Sequence, residues 1–253
     1  MRNNQRRTGQ DPEAPPGPSP AMAFASPTEF VELPSCGEFY AEDHPLYKQE
    51  TVEIRFMTAK DEDILTSEAL LKKGLALDRL LENLLVPDVD PGTLLMGDRN
   101  ALIIAARISA YGNEYKVTIR CKECTATEEI DFDLKAASTH DACFDKEYLR
   151  EEGIVFNKQT QTFDLTLATS GVEVGLRLLD GRAERKMFKK DNDKNRVTSL
   201  LSTFLVKVNG STDFDTVADF IDAMPAKDSR YLRKIFHTEE TEVPLSAGFF
   251  WPE

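Results

Sequence analysis

The sequence predicts an α+β fold: a two-fold repeat of strand–helix units flanking a central β-hairpin with a CxxC tip. Three observations predict it. Val52, Ile54 and Phe56 alternate along a strand that leads into leucine-rich helical spacing. A similar strand and leucine-rich stretch return after residue 160. Between them, two β-prone runs flank Cys121-Lys122-Glu123-Cys124.

The elements follow in order. Residues 1 to about 27 hold six of the thirteen prolines and almost no large apolar side chains. Such a segment buries too little surface to offset its ordering entropy, so residues 1–28 form a disordered N-terminal arm. An N-terminal α+β half covers 29–113. It opens at Phe30-Val31-Glu32-Leu33-Pro34 and continues through a strand at Thr51–Met57. Thr58 is a helix N-cap, and Asp61-Glu62-Asp63 forms a solvated acidic first turn where the helix dipole favours negative charge. Leu77, Leu80, Leu81, Leu84 and Leu85 fall on one helical stripe, stopped by Pro87. A further helix spans about Asp98 to Tyr111, with Ala101, Ile104, Ala105 and Ile108 inward and Gly112 at its end.

Residues 114–160 hold the hairpin, with strands Tyr115–Arg120 and Glu128–Leu134, a degenerate zinc ribbon and a linker. The C-terminal α+β half, 161–253, has strands Thr162–Ala168 and Val172–Leu178 and a charged helix near Arg182–Lys190. An apolar run follows at Val197–Val208, then helices near Phe214–Ala223 and Asp228–Phe236, and an aromatic tail. Ile54–Ile108 and Leu176–Ile235 follow one plan. Each has a strand, an acidic helix start and a stretch ending Leu85-Val86 or Leu205-Val206. Each then has a helix opened by Asp98 or Asp228, with Leu102 or Leu232 four residues on. Internal duplication accounts for this, and coincidence of common strand–helix patterns is the alternative.

Net charge is −13, from 44 acidic and 31 basic residues, which repels phosphate backbones and argues against general nucleic-acid binding. No apolar run approaches a membrane span, and no secretory signal follows Met1. The expected setting is a cytoplasm.

Cys121 and Cys124 supply two of zinc's four tetrahedral positions, and His140-x-x-Cys143 is the nearest second pair. Against zinc, the strand and linker carry His140 and Cys143 away from the tip; a plain turn is the alternative. Four unevenly spaced cysteines make no disulfide framework. His44, before Pro45, is expected to make a structural hydrogen bond. With His44, His140 and His237 alone there is no triad, and no Walker loop or GxGxxG occurs. The expectation is a protein that is not an enzyme. Phe249, Phe250 and Trp251 must pack back on the domain or dock on a partner.

The chain resembles a phage family. The resemblance runs through Leu33-Pro34-Ser35 to Tyr47, Ile54 to Ser67, Leu70 to Leu81, and Gly97-Asp98-Arg99-Asn100-Ala101 with Ala105-Ala106-Arg107. It continues in Tyr111-Gly112, the CxxC hairpin, Asp228-Ser229-Arg230-Tyr231-Leu232-Arg233 and the terminal Phe-Phe-Trp-Pro. This set is similar to the baseplate hub assembly protein family of T-even-type contractile-tailed bacteriophages. The resemblance implies a non-enzymatic factor, hub subunit or assembly chaperone, that binds hub and tape-measure proteins in the host cytoplasm and in the tail baseplate. The runner-up is a zinc-ribbon protein-binding adaptor in another complex. Two features depart from the family pattern. The N-terminal arm is extra, and Thr238–Val243 lacks the second CxxC that relatives carry there.

Overall fold

The computed structural model describes residues 26–120, 124, 126–136, 138–139, 149–150, 152–190, 196–236 and 249–250. It is mixed α+β, with several small antiparallel sheets joined by short helices.

The first half begins with β1 (Thr28–Glu32) paired antiparallel to β2 (Thr51–Arg55). β1 starts at the last residue assigned to the N-terminal arm and was missed as a strand, because only Phe30 and Val31 in it are apolar. Helices α1 (Ala59–Thr66), α2 (Glu68–Lys73) and α3 (Ala76–Leu84) follow. The chain then turns extended and Leu85 bridges back to Ile54, before α4 (Met96–Tyr111) closes the half. Two details depart from the periodic reading. Leu77 is 39% exposed, and Leu85 has left the helix to join the sheet, so the buried stripe is Leu80, Leu81 and Leu84. On α4 the buried line is Asp98, Ala101, Leu102 and Ala106, while Ile104 and Ile108 sit on its flank. Asp98 on that line is held by side-chain bonds from Ser35 and Tyr40.

The hairpin pairs β3 (Glu114–Arg120) with β4 (Thr127–Asp133). A short strand β5 (Ser138–Thr139) follows. The second half has a four-stranded sheet in the order β6-β7-β8-β9, made of β6 (Val155–Asn157), β7 (Thr162–Thr166), β8 (Glu173–Leu176) and β9 (Leu205–Val208). Helices α5 (Gly181–Lys190) and α6 (Arg196–Phe204) lie between β8 and β9, and α7 (Phe214–Ala223) and α8 (Ala226–Phe236) follow. The apolar run at Val197–Val208 thus divides into a helix and a strand. β10 (Phe249–Phe250) pairs with β5 and lies beside α4.

Each half has its own apolar core. One is built on Leu33, Ile54, Leu81, Leu84 and Leu102, the other on Phe163, Leu176, Leu201, Phe204 and Leu232. The two halves also share hydrogen bonds at matching places. Leu33 N donates to Glu50 O at 2.8 Å where the β1–β2 ladder ends, and Leu167 N donates to Val172 O at 2.9 Å where the β7–β8 ladder ends. Leu85 pairs with Ile54 as Leu205 pairs with Leu176.

Candidate functional site

Two arrangements of polar groups organise the molecule. The first is a buried aspartate at the start of each closing helix. Asp98 is fully buried on the first turn of α4 and accepts from Ser35 N at 2.9 Å, Ser35 Oγ at 2.6 Å and Tyr40 Oη at 2.7 Å. The same tyrosine hydroxyl accepts from Leu95 N at 3.1 Å, so it caps the helix and holds the aspartate at once. Burial raises the Asp98 carboxyl above its usual range, and its three hydrogen bonds only partly offset this. Burial and Asp98 together push the Tyr40 phenol well up. On α8, Asp228 accepts from Thr169 N at 3.1 Å and Ser170 N at 2.9 Å. Burial pushes its carboxyl up, but the bonds from Ser170 and Thr169 outweigh that and leave it lowered. Each carboxylate thereby fixes the loop between the two paired strands of its own half.

The second arrangement joins the halves. Asp78 of α3 is 4% exposed and sits between two guanidinium groups. It pairs with Arg99 of α4 and, at 2.7 Å, with Arg185 of α5. Arg99 Nε also reaches Glu184 Oε2 at 3.2 Å, and Arg182 meets Asp90 at 2.6 Å on the exposed rim. Beside these pairs, Met96 N donates to Leu179 O at 2.9 Å and Gly181 N to Leu94 O at 3.1 Å. The packing at Gly181 is close: a Cβ there would stand 3.0 Å from Pro91 O and 3.2 Å from Arg99 Nη1, so a side chain would require these neighbours to yield. A buried charge needs partners to repay its desolvation, and here two arginines and two carboxylates of opposite halves supply one another. Sequence reasoning missed this network, because residues 78, 99 and 185 carry no local pattern. They meet only when the halves close.

Asp61 also differs from its expected setting. It does stand at a capping position, with Thr58 N and Thr58 Oγ1 donating to it at 2.9 and 2.8 Å. It is not solvated, however. It is fully buried, and Arg55 grips both its oxygens at 2.7 and 2.9 Å. Burial pushes the carboxyl up, and the bonds from Arg55 and Thr58 overcome this and hold it well below the usual range. His44 makes structural bonds, with Nε2 2.9 Å from Thr93 Oγ1 and Nδ1 accepting from Leu46 N at 3.1 Å. Burial lowers its pKa, with Asp43 opposing.

Of the metal candidates, Cys124 is an exposed turn residue between β3 and β4, while Cys121, His140 and Cys143 lie outside the described residues. Among the described residues no group of three His, Cys, Asp or Glu is placed to hold a metal ion. For the aromatic tail, Phe249 and Phe250 form the backbone pairs Phe249↔Thr139 and Phe250↔Ser138, and Trp251 lies outside the described residues. A groove of about 740 Å³ opens between the 36–50 loop and β6, lined in part by Phe39, Tyr47, Lys48, Ile154 and Phe156. No described helix is long and apolar enough to cross a membrane.

Fold and polar network together define a two-core α+β protein whose halves are locked by buried charge. The model of the family described as T4 bacteriophage base plate protein matches residues 28–246, and the chain belongs to that family. It is a structural protein of the phage tail baseplate. No curated protein and no solved structure matches it.

Proposed function

We propose that this chain is a non-enzymatic baseplate protein that acts in assembly of the central hub, as hub subunit or assembly chaperone. Its partners on this reading are hub and tape-measure proteins, met in the host cytoplasm, and it binds neither nucleic acid nor membrane. The observation that carries the proposal is the family match across residues 28–246, which spans both halves and the hairpin. The net charge of −13 supports protein partners over nucleic acid. The tail residues Phe249, Phe250 and Trp251 are read as a partner-binding element, and the Cys121/Cys124 turn as a hairpin tip without structural zinc.

We further infer that the halves are two copies of one unit. Support comes from the matched pairs Leu33/Leu167, Ile54/Leu176, Leu85/Leu205 and Asp98/Asp228, each making the corresponding backbone or carboxylate bond. Quantitative mass spectrometry of purified mature tails tests the role. A fixed copy number per tail marks a subunit. Absence from tails but presence in assembly intermediates marks a chaperone, and absence from both removes the proposal.

A further inference from the structure

The two halves differ at one sheet edge. Antiparallel ladders alternate between residues that bond their partner strand and residues whose N–H and C=O point the other way. Phe56 N donates to Pro27 O and Leu33 N to Glu50 O, so the bonded positions of this ladder include 27 and 33. The backbone groups of Thr28, Phe30 and Glu32 therefore point outward from β1. The second half obeys the same rule. Leu167 N donates to Val172 O, so the backbone groups of Thr162 and Asp164 point outward from β7. There they meet a strand: β6 pairs Val155 with Asp164 and Asn157 with Thr162. Among the described residues no strand occupies the corresponding edge of β1.

The sheet faces differ in the same sense. In the second half Asp164, Gly175 and Lys207 form one cross-strand row. Lys207 and Asp164 close it with a 2.6 Å ion pair over Gly175. A Cβ at Gly175 would lie 2.8 Å from Asp164 Oδ1, so the row needs glycine to close. In the first half the matching row is Phe30, Glu53 and Val86, with Phe30 71% and Val86 52% exposed. Glu32 flanks Phe30 on the same face, and Glu29 on the other face has a buried Oε1 with no partner among the described residues.

We propose that the outer edge of β1 is a docking site for one extended strand of a partner protein, added antiparallel as β6 is added to β7. The partner strand places an apolar side chain against Phe30 and, two residues along, a lysine or arginine against Glu32. Main-chain bonds to Thr28, Phe30 and Glu32 supply affinity, and the alternating apolar and basic side chains supply selectivity. An open edge with an exposed aromatic is otherwise an aggregation hazard, which a bound strand removes. The site goes beyond the hub-assembly reading and holds whichever baseplate protein brings the strand.

Proline at residue 30 removes an outward N–H without touching a β1–β2 bond, and edge strands tolerate proline there. Phe30→Thr removes the same ring but keeps the N–H. Both variants are supplied in trans to the encoding phage carrying a nonsense mutation in this gene, after melting curves establish folding. Phe30→Thr loses only the side-chain contact and is expected to lower plating partway, while Phe30→Pro loses the main-chain bond as well and is expected to abolish plaques. Plating of Phe30→Pro at or above the level of Phe30→Thr overturns the proposal. If Phe30→Pro does not fold, Thr28→Pro at the strand's first residue makes the same comparison against Thr28→Ser. Residue-resolved hydrogen exchange on the full isolated chain gives a second reading. The amides of Thr28, Phe30 and Glu32 should exchange on the order of 100-fold faster than those of Glu29 and Val31. Equal protection would mean the chain covers its own edge, and would also overturn the proposal.

Discussion

Asp98 and Asp228 hold the same post in the two halves. Each stands in the first turn of a helix and takes a backbone N–H from its own interstrand loop, Ser35 at 2.9 Å and Thr169 at 3.1 Å. The loops differ in length and the helices share little sequence, yet the anchoring bond is the same. A buried carboxylate that accepts from backbone is costly to lose, because the stranded donors have no water to turn to.

Asp98→Ala leaves Ser35 N, Ser35 Oγ and Tyr40 Oη without their acceptor. The expected loss is about 3 kcal/mol in urea unfolding, with Asp98→Asn costing less because one acceptor oxygen remains. Equal stability of Asp98→Ala and wild type would show that the loop is held by packing alone.

At the junction, Asp78→Ala removes one of the two carboxylates that pair with Arg99, whose side chain is only 5% exposed, and leaves it Glu184 alone. A loss of about 3–5 kcal/mol is expected, as for other broken buried pairs. Arg185→Ala should cost less, since that side chain is 32% exposed and reaches water once freed. A double-mutant cycle between Asp78 and Arg185 is expected to give a coupling of about 1–2 kcal/mol. Zero coupling would remove this pair from the lock between the halves.

Asp61 sets an acid limit on stability. Its folded pKa lies below the unfolded value, so its contribution is fully present above about pH 4–5 and fades as pH falls toward the depressed folded value. Asp98 has the opposite sign. Its folded pKa is raised, so the stability linked to it declines as pH rises from the ordinary carboxylate range through the folded value. Urea midpoints of wild type and Asp61→Asn should therefore differ at pH 7 and converge in strong acid. A gap independent of pH would contradict the assignment.

Leu81→Asp is expected to unfold the protein. Leu81 is fully buried in the first core, and an unpaired carboxylate there costs several kcal/mol against a typical domain stability of about 5–15 kcal/mol. Circular dichroism of the purified variant checks this, and a cooperative melt near the wild-type temperature would contradict it.

Cys121→Ser with Cys124→Ser is expected to lower stability by only about 1–2 kcal/mol, the ordinary scale of substitutions that break no metal site. Protein purified without chelator should carry no stoichiometric zinc. One zinc per chain, lost along with cooperative unfolding in the double variant, would instead make Cys121, Cys124, His140 and Cys143 the metal site.

Much of the fold was legible in the residues. The ranges of α5 and α7 and the hairpin strands β3 and β4 follow from local periodicity and turn residues. Errors arose where tertiary contact outranks local pattern. Leu85 continues the leucine stripe but is drawn into the sheet by Ile54. Asp61 reads as a solvated cap until Arg55 folds over it. The Asp78–Arg99–Glu184–Arg185 network had no sequence signal, because its members come together from opposite halves. β1 was obscured because only Phe30 and Val31 among its five residues are apolar, too few for an alternating pattern.

Affinity purification of the tagged full-length chain from cells producing the phage tests hub assembly most directly. The expected result is co-purification of the hub and tape-measure proteins of that phage, in fixed ratio and before tails are complete. Recovery of the chain with other baseplate proteins, but with neither of these two, would contradict it.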